Sequence, residues 1–131
     1  MSKAIKLSTD GTISLLDVPE ERDFHWFAQQ IGCDYIEIVY PRELEEGYQM
    51  IVDEEGLYKE TPRLNFIGAW LYGMQDHGNP IVGDALIMKT AYTEDGIDTD
   101  GLPEDEAEKL AGNLREMLLP AYLALRGRCA D

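Results

Sequence analysis

Basic residues are scarce in this 131-residue chain: 11 Lys and Arg stand against 26 Asp and Glu, a formal net charge of -15 at pH 7. So large an excess of carboxylates gathers counterions instead of releasing them, which opposes non-specific binding to nucleic-acid backbones or anionic lipid. Cysteine is nearly absent. Cys33 and Cys129 do not make a disulfide framework at this size, and both are expected as free thiols, Cys129 in a frayed tail. No run reaches the roughly 18 apolar residues of a membrane span. The opening Met1-Ser2-Lys3-Ala4-Ile5-Lys6 lacks the apolar stretch of a signal peptide. A cytoplasmic protein is the expectation.

Catalytic wording is missing too. Ser2, Ser8 and Ser14 all lie near the start, and no Gly-x-Ser-x-Gly elbow is present to expose a serine beside a base. There is no Cys-x-x-Cys or His-x-x-x-His spacing to converge ligands on a metal, so His77 beside Asp76 reads as a loop histidine. Cys33, with His25 or His77 as a conceivable base, sits among apolar neighbours and reads as a buried thiol. The glycine loops that cradle triphosphates or dinucleotides are absent. Asp95-Gly96-Ile97-Asp98-Thr99-Asp100-Gly101 resembles a calcium loop until it is aligned on Gly101. Gly96 then falls at the first ligand position and Ala107 at the last, where carboxylates are needed. The expectation is a non-enzymatic protein without metal or cofactor; an enzymatic alternative requires Asp84 or Glu37 raised in pKa within a cleft.

What is present suits one folded domain over residues 1–131, since 44% hydrophobic and 28% charged residues can still bury a core. Residues 3–8 alternate, Thr9-Asp10-Gly11 is a turn, and residues 12–16 return as a second strand. Pro19, Glu20 and Glu21 suit a helix start, with Phe24, Phe27, Ala28 and Ile31 at helical spacing, predicting a helix over about residues 19–31. Residues 34–40 alternate as a strand, with Ile36 and Ile38 on one face and Tyr35, Glu37 and Val39 on the other. Residues 48–52 predict another strand, followed by an acidic turn in which Gly56 takes a positive φ and a hairpin runs toward residues 57–59.

Asn65 is placed to cap a short apolar helix over residues 66–72 that ends at Gly73. The run over residues 81–88 predicts an internal strand in which Gly83 marks a bulge or a close backbone approach. Residues 93–103 read as a solvated acidic loop, and residues 103–126 as a helical segment that Pro120 kinks or ends. Its apolar face comprises Ala107, Leu110, Ala111, Leu114, Met117 and Leu118. The order of elements predicts an α+β domain: a mainly antiparallel or mixed sheet of about five strands with two to three packed helices.

One succession of residues carries a resemblance. A helix is followed by Gly32-Cys33-Asp34-Tyr35-Ile36-Glu37-Ile38-Val39. Tyr48-Gln49-Met50-Ile51-Val52-Asp53-Glu54-Glu55-Gly56-Leu57-Tyr58-Lys59 comes next, then Pro62 and Asn65, then Pro80-Ile81-Val82-Gly83-Asp84-Ala85-Leu86-Ile87. Over residues 12–89 this wording resembles the domain of unknown function 3846 family, while the residues after Thr93 depart from its short form. The resemblance implies a phage or mobile-element setting, hence a bacterial host cell and an accessory role such as counter-defence. It implies no assigned chemistry.

Two binding sites follow from the residues. Tyr58, Lys59, Arg63, Asn65, Trp70 and Tyr72 combine two cations with aromatic faces, a set suited to a small phosphorylated, nucleotide-like ligand. Alternatively, the acidic surface is the active feature. Glu94, Asp95, Asp98, Asp100, Glu104, Asp105, Glu106 and Glu108 occur without an intervening cation, a pattern able to mimic DNA toward a basic host protein. The bland counterparts are packed aromatics in the first case and solubility in the second. Leu118, Tyr122, Leu123 and Leu125 add an apolar stripe on either side of Pro120 that predicts a homodimer through the C-terminal helix.

Overall fold

The computed structural model describes residues 2–129, with side chains described as far as Arg126; the thiol of Cys129 therefore lies outside the described residues. Strands β1 (Lys3–Leu7) and β2 (Ile13–Asp17) form the predicted hairpin. Its turn is held by Asp10, whose carboxylate accepts the Thr12 N–H at 2.9 Å. Helix α1 (Phe24–Ile31), strand β3 (Ile36–Val39) and strand β4 (Tyr48–Asp53) follow. Helices α2 (Phe66–Tyr72) and α3 (Met74–His77) precede strands β5 (Ala85–Thr93) and β6 (Gly96–Asp100) and the long helix α4 (Glu104–Cys129).

The architecture is α+β, with the described residues forming a six-stranded antiparallel sheet in the order β2-β1-β5-β4-β3 and β6 paired to β5. The nine-residue β5 is the spine. β4 lies along one edge, while β1 occupies the first part of the other edge and β6 the rest. Alternation along these strands separates two apolar layers. Ile5, Leu7, Met50, Val52 and Ile87 face α2 and α4, whereas Ala4, Ile51, Leu86 and Met88 face α1. Burial on both faces explains why the run into β5 is nearly all apolar.

Several expectations are corrected. Helix α1 begins at Phe24 instead of Pro19, because the Arg22 guanidinium donates to the carbonyls of Pro19 (3.0 Å) and Glu20 (3.4 Å), and extended Asp23 caps the helix by accepting the His25 N–H. The turn after β4 leads into a 3-10 turn (Gly56–Tyr58) instead of a hairpin. Gly56 there does not take a positive φ; it is demanded by proximity, since a Cβ would stand 2.8 Å from the Val82 carbonyl oxygen. The internal strand is displaced to Ala85–Thr93. Residues 81 and 82 instead pair back toward Leu64 and Asn65, and the chain turns at Gly83 with φ +86 in open space.

The stretch assigned to an acidic loop contains β6, because Ile97 and Thr99 alternate with Asp98 and Asp100 and pair along β5. Finally, α4 runs through Pro120. The hydrogen bond lost there belongs to the exposed Glu116, where water can replace it.

Asn65 joins the layers. It is fully buried, and its Oδ1 accepts the Gly68 N–H at 2.9 Å, capping α2. Its Nδ2 donates to the carbonyls of Leu7 at 2.9 Å and Gly83 at 3.0 Å. Asn65→Ala would leave those buried groups without partners and is expected to lower stability by about 3 kcal/mol, measured by chemical denaturation.

Candidate partner-binding surface

The six residues of the predicted phosphate site are dispersed in role. Asn65 is consumed by the three hydrogen bonds just described. Trp70 and Tyr72 are half-buried against the core, and Tyr72 meets His77 edge-on at 4.9 Å between ring centroids. Tyr58 is 86% exposed on the 3-10 turn. Lys59 pairs with Asp53 at 3.5 Å, and Arg63 lies exposed in the segment before α2. Of the six, Asn65 and Lys59 are engaged by the chain itself, Trp70 and Tyr72 pack against the core, and Tyr58 and Arg63 are exposed.

The eight predicted acidic residues are spread from the β5–β6 turn, along β6, to the first turns of α4. Glu94 and Asp95 form the tip of the β5–β6 turn, and Asp98 is exposed along β6. Asp100 lies 3.4 Å from Arg22, and Glu104 lies 4.0 Å from Lys3. Glu104, Asp105 and Glu106 occupy the first turn of α4, where the positive end of the helix dipole favours carboxylates. Asp105 and Glu108 are exposed. Glu106 has a structural engagement: it accepts from the Tyr48 hydroxyl at 2.6 Å and from Lys89 at 3.1 Å.

That trio lines an open groove of about 480 Å³ between the 43–46 segment and α4, together with Glu43, Glu45, Glu46 and Lys109. The Tyr48 hydrogen bond, then Lys89, holds the Glu106 carboxyl below the usual range. Burial, then Glu106 itself, pushes the Tyr48 phenol up.

The cations tell against anion capture. Lys3, Lys6, Arg22, Arg42, Lys59 and Lys89 are all paired with carboxylates of the same chain. Arg115 donates to the Ile13 carbonyl at 2.9 Å. The surface left over is dominated by carboxylates without a cationic partner, including Glu45, Glu46, Glu54, Glu94, Asp95 and Asp98.

The remaining candidates have structural engagements. Cys33 donates weakly to the Tyr35 carbonyl at 3.4 Å, and burial, followed by the Asp53 charge, pushes its thiol up to about 11. His77 accepts the Asn79 N–H on Nδ1 at 2.9 Å and lies 3.0 Å from the Tyr72 carbonyl through Nε2, which fixes the proton on Nε2. His25 is an exposed neighbour of Asp23. Asp84 accepts the Thr9 N–H at 3.0 Å and faces Lys6 at 3.7 Å, while Glu37 is exposed on edge strand β3. No group of His, Cys, Asp and Glu arranged to hold a metal occurs among the described residues. None of their helices is long and apolar enough to cross a membrane.

The predicted dimer stripe is divided. Leu125 is buried in the chain's own core, Leu118 is partly covered, and Tyr122 meets Phe66 at 5.3 Å while staying 46% exposed; Leu123 is exposed beside it. A second apolar set, Phe24, Ile38, Tyr40, Tyr92 and Ile97, is also exposed. The alternation in residues 96–100 is its signal in the sequence, legible once those residues are taken as strand.

Two outcomes follow. In a Cys129→Ser background, iodoacetamide at pH 8 should alkylate Cys33 about 100-fold more slowly in the folded than in the unfolded protein, following the thiolate fraction. Because the Glu106 carboxyl is held low in the fold, its stabilising contribution is complete above its ordinary value of 4.5 and is lost as pH falls through the lower folded value. Glu106→Gln should therefore be less stable than the parent at neutral pH, with the gap in denaturation midpoint closing below about pH 4.

No curated protein and no solved structure matches the chain. A family model matches residues 2–115. The match is wider than the 12–89 span of the resemblance, for it takes in β1, β6 and the first part of α4. The chain belongs to that family, described as Domain of unknown function (DUF3846).

Proposed function

We propose that this domain is a non-catalytic binding protein that captures a basic partner protein through its carboxylate surface. The observation that carries this reading is the division of charge: the cations are largely neutralised within the molecule, while the surplus carboxylates between Glu94 and Glu108 and around residues 43–46 face outward. Such a field speeds encounter with a cationic partner and repels nucleic acid. In the phage or mobile-element setting that the family resemblance implies, the natural target is a host protein whose basic cleft otherwise receives DNA, and the outcome is counter-defence in the host cytoplasm. Capture of a small phosphorylated ligand draws less support, since Lys59 is paired with Asp53 and Asn65 is structural.

Neutralising Glu94, Asp95, Asp98, Asp105 and Glu108 together removes outward charge while sparing Glu106. Native mass spectrometry of protein purified from producing cells should show a basic protein partner that this variant loses and that Lys59→Ala with Arg63→Ala retains. A retained phosphorylated small molecule that only the Lys59/Arg63 variant loses would overturn the proposal.

A further inference from the structure

Helix α1 is too short for the sheet face it covers. Its eight residues span about 12 Å, against roughly 30 Å for the nine residues of β5. It buries Ala4, Ile51, Leu86 and Met88. Farther along the same face, Ile38, Tyr40, Tyr92 and Ile97 are 43%, 57%, 78% and 63% exposed. Their placement is a consequence of register. Ile38 stands opposite Ile51, and Tyr92 opposite Ile97, two residues beyond the Thr90 and Thr99 pair.

Tyr40, Tyr92 and Ile97 line one open groove of about 500 Å³, and Phe24 and Ile38 line another of about 380 Å³. Between them the Thr99 hydroxyl donates to the buried Gln49 side chain at 2.5 Å, tying β6 across β5 to β4 and giving the patch a firm floor.

A sheet face is ordinarily closed by a helix, and contiguous exposed apolar surface marks a place where another molecule sits. The charge around this patch selects the occupant. Glu20, Asp23, Glu45 and Asp98 line the same two grooves. The cations there are engaged, Arg22 with the Thr99 carbonyl at 2.8 Å and with Asp100, Arg42 with Asp76. A second copy would bring carboxylates against carboxylates, each chain carrying -15. We infer that the uncovered half of the α1 face receives a basic amphipathic helix of a partner protein, its apolar side on Ile38, Tyr92 and Ile97 and its Lys or Arg residues on the acidic rim. This deepens the capture of a basic partner and rests on that reading.

The test uses three synthetic peptides of about 18 residues, roughly five helical turns. One carries Leu and Lys at helical spacing, one Lys and Ser with the same charge, and one Leu and Glu. Binding is read by fluorescence anisotropy at low salt on the full chain and on a Tyr92→Ser, Ile97→Ser variant, whose exposed positions leave the fold intact as checked by circular dichroism. Tyr40→Ser serves as an independent second variant.

The Leu/Lys peptide is expected to bind the parent chain and to lose about tenfold in both variants, while the Lys/Ser peptide binds more weakly and equally to all. Equal binding of Leu/Lys to parent and variants would overturn the patch and leave acidic capture standing. Failure of every cationic peptide to bind would remove both. Tight binding of the Leu/Glu peptide, or a parent dimer in sedimentation that the variants abolish, would also overturn the inference.

Discussion

A single buried amide holds the layers of this fold in register. Asn65 has no contact with solvent and satisfies its side chain by capping α2 and by donating to carbonyls at the end of β1 and just before β5. An unpaired amide or carbonyl in that position is costly, so these three segments must meet there if the domain is to close. Once they do, α2 lies on the sheet, Gly68 fits against Asn65, and β5 enters between β1 and β4. The residue that looked suited to a ligand is thus fully employed by the protein itself.

With the layers set, the sheet has unequal cover. On one side α2 and the long α4 bury Leu7, Met50, Ile87 and Leu114 completely. On the other, α1 stops after eight residues because Asp23 caps it late and Gly32 ends it with a left-handed φ of 70°. The strands continue past that helix, and the apolar positions that alternation places on its face continue with them. An uncovered half-face is therefore a direct result of strand length exceeding helix length.

The electrostatics follow a similar division. Ion pairs such as Lys3 with Asp17 across the first hairpin and Arg42 with Asp76 join separate segments, but exposed pairs of this kind add little stability individually. Their larger effect is to occupy six of the cations, so that the surface charge left over is mostly carboxylate. Within the acidic run, Asp100 and Glu104 also meet cations, and the bonds of Glu106 to Tyr48 and Lys89 fasten α4 to β4 and β5.

Local chemistry in the sequence determined a good deal: the first hairpin, the alternation of β3, the strand at β4, the Asn65 cap with its Gly73 stop, the apolar face of α4 and the α+β class all follow from propensity, period and turn residues. The family was legible because those local signals occur in a fixed order. What the sequence alone did not determine are matters of distant partners. Arg22 diverts the carbonyls that a longer α1 would need, Val82 makes Gly56 a packing glycine, and β5 supplies the edge that turns an acidic stretch into β6. Which carboxylates face outward and which apolar residues stay uncovered were likewise decided only when helices of particular lengths met strands of particular lengths. Burial and charge pairing are properties of neighbours in space, and a linear order of residues does not state them.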